Sequence, residues 1–179
     1  MTSSGRPMRR VLVIGSGGAG KSAFAEQLSA RTGLPLTHLD ALYWQPGWVP
    51  LPPAEWVVTV ADLVARETWI LDGNFGGTLE RRLAACDTVV FLDQSRWVCL
   101  GRVLRRWWQY RGRARPDMPA GCPEHLSAVY LHWIWTYPTA HRPRVLELLG
   151  QVGPQVRVVH LRSAGEVDDC LASLPAPAD

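Results

Sequence analysis

Lysine is nearly missing from this chain: Lys21 is its single example, against eighteen arginines. The bias toward Arg, Ala, Pro and Gly fits a coding background that favours arginine, so position 21 departs from that background and asks what chemistry refuses a guanidinium. Long apolar runs are also missing. None approaches the roughly 18 residues a membrane-spanning helix needs, which excludes that class. The opening "MTSSGRPMRR" is polar and basic, and the "VLVIG" after it is too short for a signal peptide's apolar region, so the expected compartment is the cytoplasm. Four cysteines (Cys86, Cys99, Cys122, Cys170) form no CxxC pair and have no histidine at zinc spacing, which removes metal knuckles and disulfide frameworks. Net charge is only +3, too little to predict nucleic-acid binding by itself. Internal repeats and low-complexity segments are lacking too, and 179 residues suit one domain. The expected core runs from about 9 to 173, with residues 174–179 a disordered tail.

What is present alternates. "RRVLVIG" reads as a strand buried on both faces, followed by a glycine turn and the helical "KSAFAEQLSARTG", which Gly33 closes. A short strand at "LPLTHLD" leads into "ALYWQPGWVPLPP", too rich in proline and glycine to read as regular. The helix "PAEWVVTVADLVARE" then presents Trp56, Val57, Val60, Leu63 and Val64 on one face. "TWILDGNFGG" is a third strand, "TLERRLAAC" a short helix and "DTVVFLD" the fourth strand. A long amphipathic helix from "SRWVCLGR" ends in an arginine-rich turn; two helices follow, separated near Pro138, with Pro143 suited to the second one's first turn. "QVRVVHL" is the fifth strand, and Ser163 with Glu166 forms a capping box for the last helix. Strands and helices at this spacing predict a parallel sheet covered on both sides, with ligands at the strands' carboxyl ends. Asp40, Asp72, Asp93 and the first glycine turn all fall at such ends.

That turn is Gly15-x-x-x-x-Gly20-Lys21-Ser22, a full Walker A pattern between strand and helix. Its backbone amides, from Gly15 through Gly17, Gly18, Ala19 and Gly20, would surround phosphate oxygens at a helix N-terminus. Lys21 would reach the β and γ phosphates of ATP, and Ser22 would offer its hydroxyl to Mg²⁺. A planar guanidinium has the wrong size and fork for that ring, which accounts for the solitary lysine. Asp72 and Asp93 each end a strand, and either suits the second metal-holding position, or only a turn.

Taken together, this loop, "HLDALYWQPGW", "WILDGNF", "FLDQSRW" and "YRGRARPDMPAGCPE" resemble the adenylate-kinase-related P-loop proteins called topology modulation proteins of the FlaR type, from about Val11 to Leu171. More broadly the chain is similar to nucleoside monophosphate and shikimate kinases. The resemblance implies a three-layer α/β sandwich whose five-stranded parallel sheet has the order 2-3-1-4-5, with an arginine-bearing lid at about 107–124. It selects Asp72 over Asp93 for Mg²⁺, and implies that Arg102 meets the adenine and Arg106 the transferring phosphate. It also sets Asp40, eighteen residues after Ser22, where shikimate kinases orient the acceptor hydroxyl. His38 stands where that group has an acidic residue. The adenylate kinase Phe-Pro-Arg is replaced by "NFGGT", leaving Arg81 and Arg82 as possible substitutes.

Residues 102–115 hold six arginines, more than a casual solvated face gathers, and a closing lid would bring Arg111 and Arg115 beside Arg106 to neutralise the transferring group. A solvated helix, or a nucleic-acid surface in which Trp107, Trp108 and Tyr110 stack bases, are the other readings of this run. Trp44 and Trp48 are the aromatics expected to line an acceptor pocket. The sequence thus predicts a Mg²⁺-dependent, ATP-using kinase for a small acceptor; its rival is a nucleotide-dependent, DNA-associated regulatory protein.

Overall fold

The computed structural model describes residues 7–174; residues 175–179 of the expected disordered tail lie outside the described residues. Chain order is β1 (Arg10–Gly15), α1 (Lys21–Thr32), β2 (Leu36–His38), α2 (Leu39–Tyr43), β3 (Trp44–Gln45), β4 (Val49–Pro50), α3 (Pro53–Val64), β5 (Trp69–Asp72), α4 (Gly76–Ala85), β6 (Thr88–Leu92), α5 (Arg96–Tyr110), α6 (Ala128–Ala140), α7 (Arg142–Gln151), β7 (Arg157–Leu161) and α8 (Ala164–Ala172). The main sheet is wholly parallel in the order β2-β5-β1-β6-β7. Its five strands, numbered among themselves, run 2-3-1-4-5 as expected.

Alternation along the strands builds the layers. Leu12 and Ile14 of β1, Trp69 and Leu71 of β5, and Val89 and Phe91 of β6 turn to one face, where α3, α4 and α7 supply Val60, Leu63, Leu79, Leu83 and Leu148. Val11, Val13, Ile70, Val90 and Leu92 turn to the other, against Phe24 and Leu28 of α1, Val103 of α5, Ile134 of α6 and Leu171 of α8. Because strands covered on both faces have no solvent side, their sequences are continuously apolar rather than alternating. The result is a three-layer sandwich.

Three local expectations need correction. The stretch after Asp40 is regular in part: α2 leads into the antiparallel β3–β4 ribbon, whose turn uses Gly47 and Trp48 in the left-handed region, φ 81° and 62°. Pro138 lies inside α6, late enough for the helix to run two more residues, and the break falls at His141, followed by Pro143 in the first turn of α7. On α3, Trp56, Val60 and Leu63 are buried whereas Val57 is exposed. Among the described residues, no helix is long and apolar enough to cross a membrane.

Candidate active site

The glycine loop leaves β1 at the centre of the sheet and turns into α1. Ser16 O accepts from Ala19 N at 3.1 Å and from Lys21 Nζ at 3.0 Å, so the ammonium lies across the loop it belongs to. Gly20 caps α1 with φ 97° and no side-chain partner, and the helix's first turn holds no acidic residue. Its free N–H groups therefore meet no internal anion, and their partial positive charge is left for a ligand. At 17 a Cβ would displace the Tyr130 hydroxyl, whereas at 18 glycine is required, since φ is 75° and a Cβ would strike the Cys99 carbonyl. Two outside residues brace the loop: Asn74 Oδ1 accepts from Gly15 N at 3.0 Å, and Arg102 Nη1 donates to Ala19 O at 2.8 Å.

A cavity of about 460 Å³ opens over this loop. Residues 18–22 form its floor, Arg102, Arg105, Arg106 and Gln109 of α5 form one wall, and Ala164, Val167 and Asp168 of α8 form another. A second cavity of about 430 Å³ lies beside it, walled by Trp44, Trp48, Met118, His125 and Trp133. Asp40, Arg106, Arg115 and Tyr130 line both. The two spaces thus meet at one carboxylate, one phenol and two guanidinium groups, the equipment for moving a charged group between two ligands.

The three strand-end aspartates do different work. Asp72, 4% exposed, bonds His38 Nδ1 through Oδ2 at 2.9 Å, while its Oδ1 is buried with no partner among the described residues. That contact with Asp72, outweighing burial, raises the pKa of His38. Asp93 instead joins β6 to its neighbours: Arg142 donates to both its oxygens at 2.8–2.9 Å and His160 lies 2.8 Å away. Burial alone would raise the pKa of Asp93, but Arg142 and His160 reverse this and hold it low. Asp40 is pushed upward, first by burial and then by Asp72 and Asp117, against the pull of Lys21 and Arg115. A carboxylate so placed is more basic than usual, as proton acceptance requires.

No group of three or more His, Cys, Asp or Glu among the described residues could hold a metal ion by itself. Of the expected metal pair, Ser22 lines the first cavity, whereas Asp72 lines neither and keeps Oδ1 buried without a partner among the described residues; a hydroxyl and one spare carboxylate oxygen are the donor types Mg²⁺ takes when water and phosphate complete its shell.

The arginines divide sharply. Arg102, Arg105, Arg106 and Arg115 face the first cavity; Arg106 Nε donates to Glu124 Oε1 at 3.0 Å, and Arg115 pairs with Glu124 at 2.8 Å and Asp117 at 3.1 Å. Arg111, expected beside them, lines neither cavity: its guanidinium stands 5.4 Å from the half-buried Trp107 ring in a cation–π contact. Arg82 is fully buried and donates to the carbonyls of Gly73, Asn74 and Phe75, with burial lowering its pKa to about 9; it braces the segment after β5 and is closed to a ligand. Arg81 is exposed and lines neither cavity. Tyr130, Asn74, Glu124 and Asp117 were not anticipated. Of these, only Asn74 carried a signal, following the strand-ending Asp-Gly directly.

No family model and no curated protein sequence matches the chain. Solved structures do. A shikimate kinase from Acinetobacter baumannii in complex with shikimate superposes with a TM-score of 0.61 at 15% identity, over 92% of this chain and 89% of that one. A gluconokinase from Sinorhizobium meliloti 1021 gives 0.53 at 21%, covering 93% of each chain. A putative kinase from Chloroflexus aurantiacus j-10-fl gives 0.52 at 17%, over 92% and 96%. The chain has the P-loop kinase-like fold, a parallel five-stranded α/β sandwich.

Proposed function

We propose that this protein transfers the γ-phosphoryl group of ATP to a hydroxyl of a small acceptor, as an enzyme of the cytoplasm. The carrying observation is the junction of two cavities, one floored by the phosphate loop and one walled by aromatics, at Asp40, Arg106, Arg115 and Tyr130. Lys21 and the loop amides hold the β and γ phosphates, and Arg102 borders the adenine. Asp40 orients the acceptor hydroxyl and takes its proton as the acceptor oxygen bonds to phosphorus and the bond to ADP breaks. Arg106 and Arg115 neutralise the charge that spreads over the transferring group, with residues 107–124 serving as a lid that excludes water. Ser22 and Asp72 would hold Mg²⁺, which neutralises phosphate charge when bound. Arg111 joins this set only if the lid closes further. Lys21→Ala should cut ATP turnover at least a thousandfold while the circular dichroism spectrum and melting remain unchanged; undiminished turnover would remove the assignment.

The resemblance to topology modulation proteins supplies a second reading, favoured by one observation: Trp108, 72% exposed, is followed in the chain by the exposed Arg111 and Arg113. Such a surface suits single-stranded nucleic acid. Most of the run's cationic groups nevertheless turn inward. ATP-dependent, salt-sensitive DNA retention without any phosphorylated product would favour this reading over the kinase.

A further inference from the structure

The second cavity differs from the first in charge as well as in its walls. The phosphate-loop cavity gathers Lys21, Arg102, Arg105, Arg106 and Arg115 against Asp40, Asp117 and Asp168, an excess suited to a polyphosphate. In the neighbouring space the formal charges cancel: Arg106 and Arg115 stand against Asp40 and Glu124. Both arginines already face Glu124. An acceptor carrying its own carboxylate or phosphate would find there only the two guanidinium groups that already face Glu124 and also border the phosphate-loop cavity, and would meet two acidic groups as well.

Aromatic planes make up the rest. Trp44 and Trp48 meet edge to face with centroids 5.5 Å apart, Trp48 meets His125 at 4.9 Å, and Tyr130 and Trp133 lie parallel within 7°. Trp48 is held there against its own backbone preference. Its φ of 62° is a conformation bulky residues rarely adopt, and it persists because Nε1 donates to Pro123 O at 3.0 Å and the preceding Gly47 N–H donates to Gly121 O at 2.8 Å. The positive φ belongs to the turn of the β3–β4 ribbon, and it leaves the half-exposed indole lining the cavity. With Asp40 at the junction, the matching ligand has a flat apolar body to lie among the indoles and a neutral hydroxyl to reach the carboxylate.

We infer that the acceptor is an uncharged alcohol carried on a planar ring system, a nucleoside or an aromatic alcohol, rather than a sugar acid or a nucleotide. This inference rests on the kinase reading for its orientation toward Asp40, but its ligand class is testable apart from turnover. Calorimetry on the full chain, saturated with Mg²⁺ and a non-hydrolysable ATP analogue so that nucleosides cannot enter the first cavity, would compare adenosine and thymidine, benzyl alcohols, AMP, gluconate and shikimate. Trp48→Gly is the matching variant: it deletes the indole and its bond to Pro123 O while suiting the left-handed backbone, and undiminished binding of the analogue in the first cavity reports that the sandwich is intact. The expected result is saturable binding by the nucleosides or by the benzyl alcohols, weakened at least tenfold in Trp48→Gly, with AMP and the two acids at least tenfold weaker. Tightest binding by AMP, gluconate or shikimate, binding by none of the ring alcohols, or full affinity in Trp48→Gly would overturn it. A ring alcohol that binds yet never receives label from γ-labelled ATP leaves the ligand class standing and removes the kinase reading. Label passing only to gluconate does the reverse.

Discussion

Position 40 is where a single side chain carries the most contradictory demands. Asp40 is half-buried, bordering both cavities, and partial burial together with the charges of Asp72 and Asp117 raises its pKa above the ordinary 3.8. The fold therefore favours its protonated form. Stability contributed by that form is fully present below the unfolded value of 3.8 and is lost as pH rises through the higher folded value, so at neutral pH the ionised Asp40 is a net cost. Asn keeps the shape and discards the charge. Asp40→Asn should thus melt higher than the parent at pH 7, by roughly 2–4 °C for each kcal/mol recovered, with the gap closing as pH falls below the folded pKa. Turnover should drop a hundredfold or more in the same variant, since proton acceptance is worth about 10²–10⁴. Parallel melting curves and pH–rate profiles check both halves: a variant that is neither stabilised nor slowed would remove Asp40 from the chemistry. The places of Lys21 and Asp40 beside the first cavity could be anticipated in the sequence, the one from the Walker A pattern and the other from the resemblance to shikimate kinases, eighteen residues after Ser22. That of Tyr130 could not, since its role comes from α6 crossing over Gly17, a contact between residues 113 apart that no local pattern encodes.

Elements show the same division between what is local and what is not. Strands and helices of the sandwich could be read from apolar runs and caps: Ser163 accepts from Glu166 N at 3.2 Å as the capping box requires, though Glu166 reaches back to Arg162 N rather than to Ser163. The β3–β4 ribbon could not. Its two-residue strands owe their order to the segment after α5, through Gly47 N to Gly121 O, Trp48 Nε1 to Pro123 O and Cys122 Sγ to Gln45 O at 3.2 Å. That segment is itself held by Glu124, 7% exposed, which faces Arg106 of α5 on one oxygen and Arg115 on the other. Glu124 thereby ties helix, lid and ribbon into one unit. Removing Glu124 takes the carboxylate from Arg106 while Arg115 keeps Asp117 at 3.1 Å, so the cost falls below that of a fully buried pair, at about 1–3 kcal/mol. Glu124→Ala should lower the denaturation free energy by that order and should make 111–125 the first segment to exchange amide hydrogens. Exchange in that segment unchanged from the parent would show that the arginines do not depend on Glu124.

The whole molecule places its working surface along one edge of the sheet, because parallel strands end together and their following loops converge. At the centre of that edge, where β1 lies beside β6, the chain turns into the N-terminus of α1 with room for a ligand above it. The scaffold's stability is therefore coupled to what fills the two cavities, and the coupling can be measured without knowing the acceptor. A ligand that binds the folded chain alone stabilises it by about 2.7 kcal/mol at a hundredfold excess over its dissociation constant. For a chain of this size that corresponds to a melting shift of roughly 5–11 °C. Mg²⁺ with a non-hydrolysable ATP analogue should produce such a shift in the parent protein and none in Lys21→Ala. Since Asp40, Arg106, Arg115 and Tyr130 border both cavities, a second ligand beside the bound analogue should find those side chains already ordered. Its added shift should then exceed the one it gives alone, as positive coupling between sites demands. Strictly additive shifts would mean that the two spaces, although they share walls, work independently.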